Sequence, residues 1–235
     1  MRPLNIAVYA DGAVAADMIR QYRSGVPRGF TTNPTLMAKA GITDYAVFAK
    51  TILAEITDLP ISFEVFADDF SEMERQAQAI GAWGDNVYVK IPITNTKGES
   101  ALPLVRRLLD KGLKLNVTAI LTDAQIDGLC EIMKPADDVI VSIFAGRIAD
   151  TGVDPVPIMR RAVGRYRALP LAKILWASPR EVLNIYQAAE CGCHVITVTD
   201  ELLRKLTLRD KSLEEYSLET VKMFYNDATK AGFRL

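Results

Sequence analysis

The sequence predicts an α/β fold, a single (β/α)8 TIM barrel with an extra C-terminal helix, on three observations. Short apolar runs rich in β-branched residues recur about eight times. A stretch of helical period follows most of them, which is the pattern of parallel strands joined by crossover helices. No Pro/Gly/Ser-rich linker or low-complexity tract cuts the chain. The 235 residues are 49% hydrophobic and 24% charged, so the chain buries a full core, and barrels of about 200–250 residues fold as one unit. Residues 1–235 are therefore read as one domain.

The candidate strands, in order, are 5–10, 28–32, 61–66, 86–91, 114–120, 138–142, 173–177 and 194–199. The helical stretches between them carry local signals. Asn33-Pro34 reads as a cap with proline in the first turn, Thr122-Asp123 and Ser178-Pro179 likewise, and Gly112 and Gly192 stop helices ahead of strands. An open doubly wound sheet is disfavoured, because the first turn, Asp11-Gly12-Ala13-Val14, lacks the GxGxxG spacing. After the last strand, 200–206 reads as helix and 209–212 as a charged break. Residues 213–233 then repeat apolar positions at Leu218, Val221, Met223, Phe224, Ala228 and Phe233, an added helix suited to packing on a neighbouring subunit.

Charge and cysteine usage exclude several function classes. Lys plus Arg number 28 against 29 acids, so no net field draws a nucleic acid or an anionic bilayer. No window approaches an apolar membrane span, and the N-terminal apolar run is broken at Asp11. Three cysteines, two of them in Cys191-Gly192-Cys193, make neither a disulfide framework nor a zinc site and point to a reduced, cytoplasmic chain. Asp68, Asp69 and Glu72 read as a helix start capped through Ser71 and Glu74 rather than a metal site, so neither metal nor cofactor is assigned.

In such a barrel the active site lies at the C-terminal ends of the strands, and polar residues concentrate there. They are Asp11, Asn33, Glu64, Lys90, Asn116, Thr118, Ser142, Arg147, Ser178 and Arg180, with Thr197 and Thr199 on the last strand. Lys90, in Val87-Tyr88-Val89-Lys90-Ile91, is an amine in an apolar strand. There the loss of hydration favours the neutral, nucleophilic form, although its stem could instead line the wall while the head reaches solvent. Glu64 is either its buried salt-bridge partner or a proton carrier. Asp11 is either an N-cap or a general acid/base, and Asn33 and Ser178 share the N-cap alternative. Asn116 and Thr118 alternate with Val117 and should point together into the barrel. Arg147 and Arg180 follow late strands, Arg180 in a first helical turn where an anion is favoured. His194 enters the last strand on the opposite, stability face and reads as structural.

Five segments together resemble the transaldolase family over nearly the whole chain. They are Thr31-Thr32-Asn33-Pro34-Thr35, Val89-Lys90-Ile91-Pro92, Asn116-Val117-Thr118, Ser142-Ile143-Phe144-Ala145-Gly146-Arg147-Ile148 and Ala177-Ser178-Pro179-Arg180. The resemblance implies that Lys90 forms a Schiff base with a ketose carbonyl and that Asp11 moves the proton at the cleaved bond. It further implies that Glu64 and Thr118 hold a relay water, that Asn33, Asn116 and Ser142 hold the dihydroxyacetone unit, and that Arg147, Ser178 and Arg180 hold the phosphate. The length resembles the small, fructose-6-phosphate-aldolase-like branch, which implies sugar-phosphate substrates of the pentose phosphate type and a homo-oligomer, a pentamer or decamer. In that branch the aldolases that release dihydroxyacetone resemble a pattern with glutamine at Glu64 and tyrosine at Phe144. Here both positions carry the transaldolase residue, which favours transfer over release. Two departures stand beside the match: Asp11 is followed by Gly12-Ala13 instead of a hydroxyl residue, and residues 95–99 add donors after Lys90. The alternatives are an aldolase releasing dihydroxyacetone, a transaldolase specialised for a sulfonated or longer-chain sugar, and a catalytically silent sugar-phosphate binder.

Overall fold

The computed structural model describes residues 5–234. Strands and helices alternate from the first element: β1 (Ala7–Asp11), α1 (Ala15–Ser24), β2 (Phe30–Thr31), α2 (Pro34–Lys39), α3 (Tyr45–Glu55), β3 (Ile61–Glu64) and α4 (Phe70–Gly81). They continue as β4 (Val87–Pro92), α5 (Leu102–Asp110), β5 (Leu115–Ile120), α6 (Asp123–Ile132), β6 (Val139–Ile143), α7 (Ala145–Asp150) and α8 (Pro155–Arg165). The chain closes with β7 (Lys173–Trp176), α9 (Leu183–Glu190), β8 (Val195–Thr199), α10 (Asp200–Lys205) and α11 (Leu213–Ala231). Each strand pairs in parallel with the next, and β8 returns to β1 with Asp11 opposite Thr199. The closed (β/α)8 barrel and its extra C-terminal helix are thus as predicted.

Alternation along the strands divides the molecule into two cores. Outward residues such as Phe30, Phe63, Val89, Val117, Ile174 and Ile196 are fully buried against the helices. Inward residues make a smaller apolar floor from Tyr9, Tyr88, Ile140, Leu175 and Val195. Above that floor, toward the strand C-termini, the inward positions turn polar. The floor is sealed at the opposite end by the Tyr88 hydroxyl, which donates to Asp138 at 2.8 Å and accepts from Lys173 Nζ at 3.2 Å.

Local chemistry explains most boundaries. Asn33 accepts from the Leu36 amide with Pro34 at the first turn, Thr122 and Gln125 form a capping box, and Gly112 and Gly192 follow α5 and α9 at φ 80°. At α4 the cap differs from expectation: Asp69 accepts from the Ser71 and Glu72 amides, while Glu74 pairs with Arg107 and Lys111. Asp68 accepts from Thr96 instead, and this ties the 95–99 turn to the segment after β3. Ser178 is not a cap either. It sits at φ 61°, and α9 begins only at Leu183. His194 lies at the N-terminal side of β8, where Nδ1 accepts from the Ile174 amide at 3.0 Å. Burial, helped by Lys173, lowers its pKa from the ordinary imidazole value, which suits that neutral acceptor role.

Candidate active site

The polar upper half of the barrel opens into a cleft of about 430 Å³ lined by residues from most of the strands. Lys90 forms its base. The register places Glu64 directly opposite Lys90 across the β3–β4 pair, so their side chains emerge on the same face. Lys90 Nζ lies 2.9 Å from Glu64 Oε2 and donates to the Thr32 carbonyl at 2.7 Å. The ammonium is thus buried, and of the two readings of Glu64 the ion pair is the one seen. The chain does not leave the lysine head to snorkel, because its side chain is only 8% exposed.

Asp11 is the last residue of β1, not a helix cap; Val14 occupies the cap position of α1 and makes no side-chain cap bond. The Asp11 carboxylate accepts from Thr31 Oγ1 at 2.8 Å and from Asn33 Nδ2 at 3.2 Å. Thr31 shares a further hydrogen bond with Thr197 across the barrel. Burial raises the Asp11 carboxyl above its usual range. The nearby Lys90 charge and the hydrogen bonds from Thr31 and Asn33 pull the other way, and Glu64 adds to the rise. A carboxyl held this way gives up and takes back a proton more readily near neutrality than an ordinary aspartate.

On the far wall, Ser142 Oγ donates to Asn116 Oδ1 at 2.6 Å, and Asn116 Nδ2 donates to Ser62 Oγ at 3.0 Å. This buried chain fixes the Asn116 amide, since its oxygen is engaged on one side and its nitrogen on the other. Thr118 is also buried and lines the cleft, so Asn116 and Thr118 do point inward together. Just beyond it the β5–β6 register shifts at Ala119, whose φ is 61°. Such a bulge re-aims the strand end at the mouth.

The rim is formed by β6 and β7. Phe144 caps α7 and faces the cleft, with the Arg147 guanidinium 4.9 Å above its ring. Ser178 faces the same space. Gly146 is required here, because a Cβ would fall 1.5 Å from the Ser178 carbonyl oxygen; this close approach brings Arg147 and Ser178 to one edge. Arg180 departs from expectation. It precedes α9 instead of starting it, and its guanidinium is turned onto Asp150, with Nε donating to Oδ1 at 3.0 Å. That pairing holds the Asp150 carboxyl below its ordinary range. Arg180 does not line the cleft as the protein is seen here.

Residues 8–235 match the family described as "Transaldolase/Fructose-6-phosphate aldolase". The chain belongs to this family. A relative named "Probable transaldolase" in Streptococcus agalactiae serotype V is 34% identical over 213 residues, which cover 88% of this chain and 94% of that one. Another of the same name in Dehalococcoides mccartyi is 32% identical over 202 residues, covering 85% and 89%. Among solved structures, a 2,3-dimethylmalate lyase of the PEP mutase/isocitrate lyase superfamily superimposes with a TM-score of 0.59 at 9% identity, covering 97% of this chain and 84% of that one. That likeness speaks to the barrel alone.

In this member of the family, the cleft gathers Asp11, Asn33, Glu64, Lys90, Asn116, Thr118, Ser142, Phe144, Arg147 and Ser178, ten of the eleven positions to which the sequence assigned a role. Arg180 is the one left outside. Thr31, Ser62 and Thr197 were not assigned roles, yet their hydroxyls build the hydrogen-bond shell of Asp11 and Asn116. Parity was the signal that could have found them, because Ser62 and Thr197 stand two residues before Glu64 and Thr199 on inward-facing phases. The 95–99 turn, which offered donors near the mouth, is bound to Asp68 and does not line the cleft. Among the described residues no three His, Cys, Asp or Glu side chains gather as metal ligands, and no helix is long and apolar enough to cross a membrane.

Proposed function

We propose that this chain is a transaldolase that moves a dihydroxyacetone unit from a ketose phosphate, such as fructose 6-phosphate or sedoheptulose 7-phosphate, to an aldose phosphate acceptor. The observation that carries the reading is a buried lysine at the base of an open cleft, with one carboxylate in contact and a second carboxyl, its pKa raised by burial, sharing the cleft. A binding protein for sugar phosphates needs the rim arginine but has no use for a buried amine.

The chemistry follows from those positions. Glu64, 2.9 Å from Lys90 Nζ, takes the ammonium proton and frees the lone pair to attack the ketose C2 carbonyl. Loss of water from the resulting carbinolamine leaves an iminium, with Glu64 and Thr118 returning and removing protons through a water. Asp11 then removes the C4 hydroxyl proton, the C3–C4 bond breaks, and its electron pair passes into the iminium to give an enamine. The aldehyde departs, the enamine carbon attacks the acceptor aldehyde, Asp11 returns its proton to the new hydroxyl, and water adds to the re-formed iminium to release the product ketose and the free Lys90 amine. Asn33, Asn116 and Ser142 are suited to the hydroxyls of the three-carbon unit. Arg147 and Ser178 are suited to the phosphate. Arg180 would join them only by leaving Asp150, an exchange open to an exposed ion pair of this kind.

Transfer is favoured over release because Phe144 presents an apolar ring where a hydroxyl would supply a proton to the enamine. Phe144→Tyr is expected to raise acceptor-free release of dihydroxyacetone from fructose 6-phosphate by about ten-fold or more. An unchanged release rate in a coupled assay would count against this role.

The functional unit is a cytoplasmic homo-oligomer on this reading. Cys130, Cys191 and Cys193 are all free thiols, as a reducing compartment allows. In α11 no residue is buried, and Leu218, Val221 and Phe224 are 54%, 59% and 62% exposed, an apolar surface that a second copy would cover. Light scattering should therefore give a multiple of the 25.9 kDa chain mass; the mass of one chain would contradict the assembly.

A further inference from the structure

We infer that Tyr45, which lies outside the cleft at the start of α3, is a positioning residue that holds the Lys90–Glu64 pair in its reactive arrangement. The inference rests on the Schiff-base reading of Lys90 and extends it to a side chain that touches no substrate.

The argument starts from the backbone of β3. Its pairing with β2 ends at Thr31 opposite Ser62, with one further bond from the Thr32 amide to the Ser62 carbonyl. β3 runs on to Glu64 and on its other edge remains paired with Lys90 of β4. Glu64 thus has a backbone N–H and C=O on the β2 side with no strand to meet them, and buried groups of this kind need partners. Tyr45 supplies both. Its hydroxyl accepts from the Glu64 amide at 2.7 Å and donates to the Glu64 carbonyl at 3.1 Å.

The Thr32 side chain lies beside the same hydroxyl, and its Oγ1 donates to the Ser62 carbonyl at 2.9 Å. Thr32 carries the carbonyl that receives Lys90 Nζ, while Glu64 carries its counter-ion. The phenol is therefore bonded to the segment that carries the counter-ion and lies beside the one that carries the carbonyl. The ring is itself wedged edge-on among Phe63, Phe66 and Trp83, at centroid distances of 6.1, 5.9 and 5.5 Å. A hydroxyl on so fixed a ring cannot drift with the strand end it secures. Displacing a reacting group by as little as about 1 Å costs up to about 100-fold in rate, so the strand end that sets the Glu64 position is a sensitive point.

Tyr45→Phe removes the hydroxyl and keeps the ring packing. The measurement is the rate of borohydride-trapped adduct formation on Lys90 with fructose 6-phosphate, alongside kcat, KM and thermal midpoint. The expected result is a fall of about 10- to 100-fold in trapping rate and kcat with KM changed less than about three-fold. Tyr166→Phe is the control, since that hydroxyl also donates to a backbone carbonyl, Ile126, at 2.9 Å and is remote from the cleft. It should lose a similar amount of stability with no loss of trapping rate. Thr32→Val, which removes the hydroxyl that anchors the Thr32 segment to the Ser62 carbonyl, should slow trapping in the same direction and keeps the test open if Tyr45→Phe folds poorly. Trapping at the parent rate in Tyr45→Phe, or an equal slowing in Tyr166→Phe, would overturn the positioning role while leaving the lysine chemistry intact. Absence of any adduct in the parent protein would overturn the Schiff-base reading and this inference with it.

Discussion

Lys90→Met is expected to lower kcat by roughly 10⁴-fold or more, because the covalent route and the positioning it provides are lost together. The barrel should persist, since methionine occupies a similar volume in the β4 wall. Stability should nevertheless fall. The substitution leaves the Glu64 carboxylate, whose side chain is 17% exposed, without its partner, and breaking a buried pair from one side costs about 3–5 kcal/mol. The partial exposure places this case toward the low end. Lys90→Met with Glu64→Gln should recover most of that loss and none of the activity. Steady-state rates and chemical denaturation of the single and double variants check both parts; a single variant with parent-like turnover would remove Lys90 from the mechanism.

Asp11→Asn should separate activity from stability in the opposite sense. Loss of the proton acceptor at the cleaved bond is expected to cost about 10²–10⁴-fold in kcat. The thermal midpoint should rise near neutral pH. The sign follows from burial, the dominant influence on Asp11, which raises its pKa in the folded protein. The folded state then binds more protons than the unfolded one, so stability is lost as pH climbs above the unfolded aspartate value of about 3.9. The loss is complete once pH exceeds the raised folded value. Asparagine carries no such penalty: its Oδ1 can accept from Asn33 Nδ2, and its Nδ2 can donate to Thr31 Oγ1 once the Thr31 proton is turned onto Thr197. The midpoint difference should therefore be near zero at the acid end and grow through that window, by about 2–4 °C for each kcal/mol relieved. A variant that is less stable than the parent at neutral pH and equal to it in acid would contradict the assignment of burial as the dominant influence.

Much of this molecule is legible in its sequence because a parallel strand buried on both faces is written as an unbroken apolar run. A polar residue inside such a run has few places to go. Lys90, Glu64, Asn116, Thr118 and Ser142 stand out for that reason, and all five line the cleft. β2 shows the limit of the pattern, since the run at 28–32 yields only the two-residue strand Phe30–Thr31. Asn33 is a helix cap that also faces the cleft: it accepts from Leu36 and donates to Asp11, so capping the helix does not remove its side chain from the site.

Other parts depend on contacts that leave no local trace. Arg180 reads as an anion ligand in a first helical turn, but the left-handed Ser178, whose carbonyl packs closely on Gly146, delays the start of the helix to Leu183. Its pairing with Asp150 joins residues thirty positions apart. Tyr45 is unreadable for the same reason: nothing in the α3 sequence says that its first residue closes the edge of β3. The apolar positions of the last helix were visible, and the structure places them on the surface.

The most direct test of the account is mass spectrometry of the intact protein after borohydride reduction with fructose 6-phosphate and no acceptor, followed by peptide mapping. The account predicts a reduced three-carbon adduct on the peptide bearing Lys90 and on no other lysine. A folded protein that forms no adduct, or one that forms it elsewhere than Lys90, would contradict the claim that this buried amine carries the ketose.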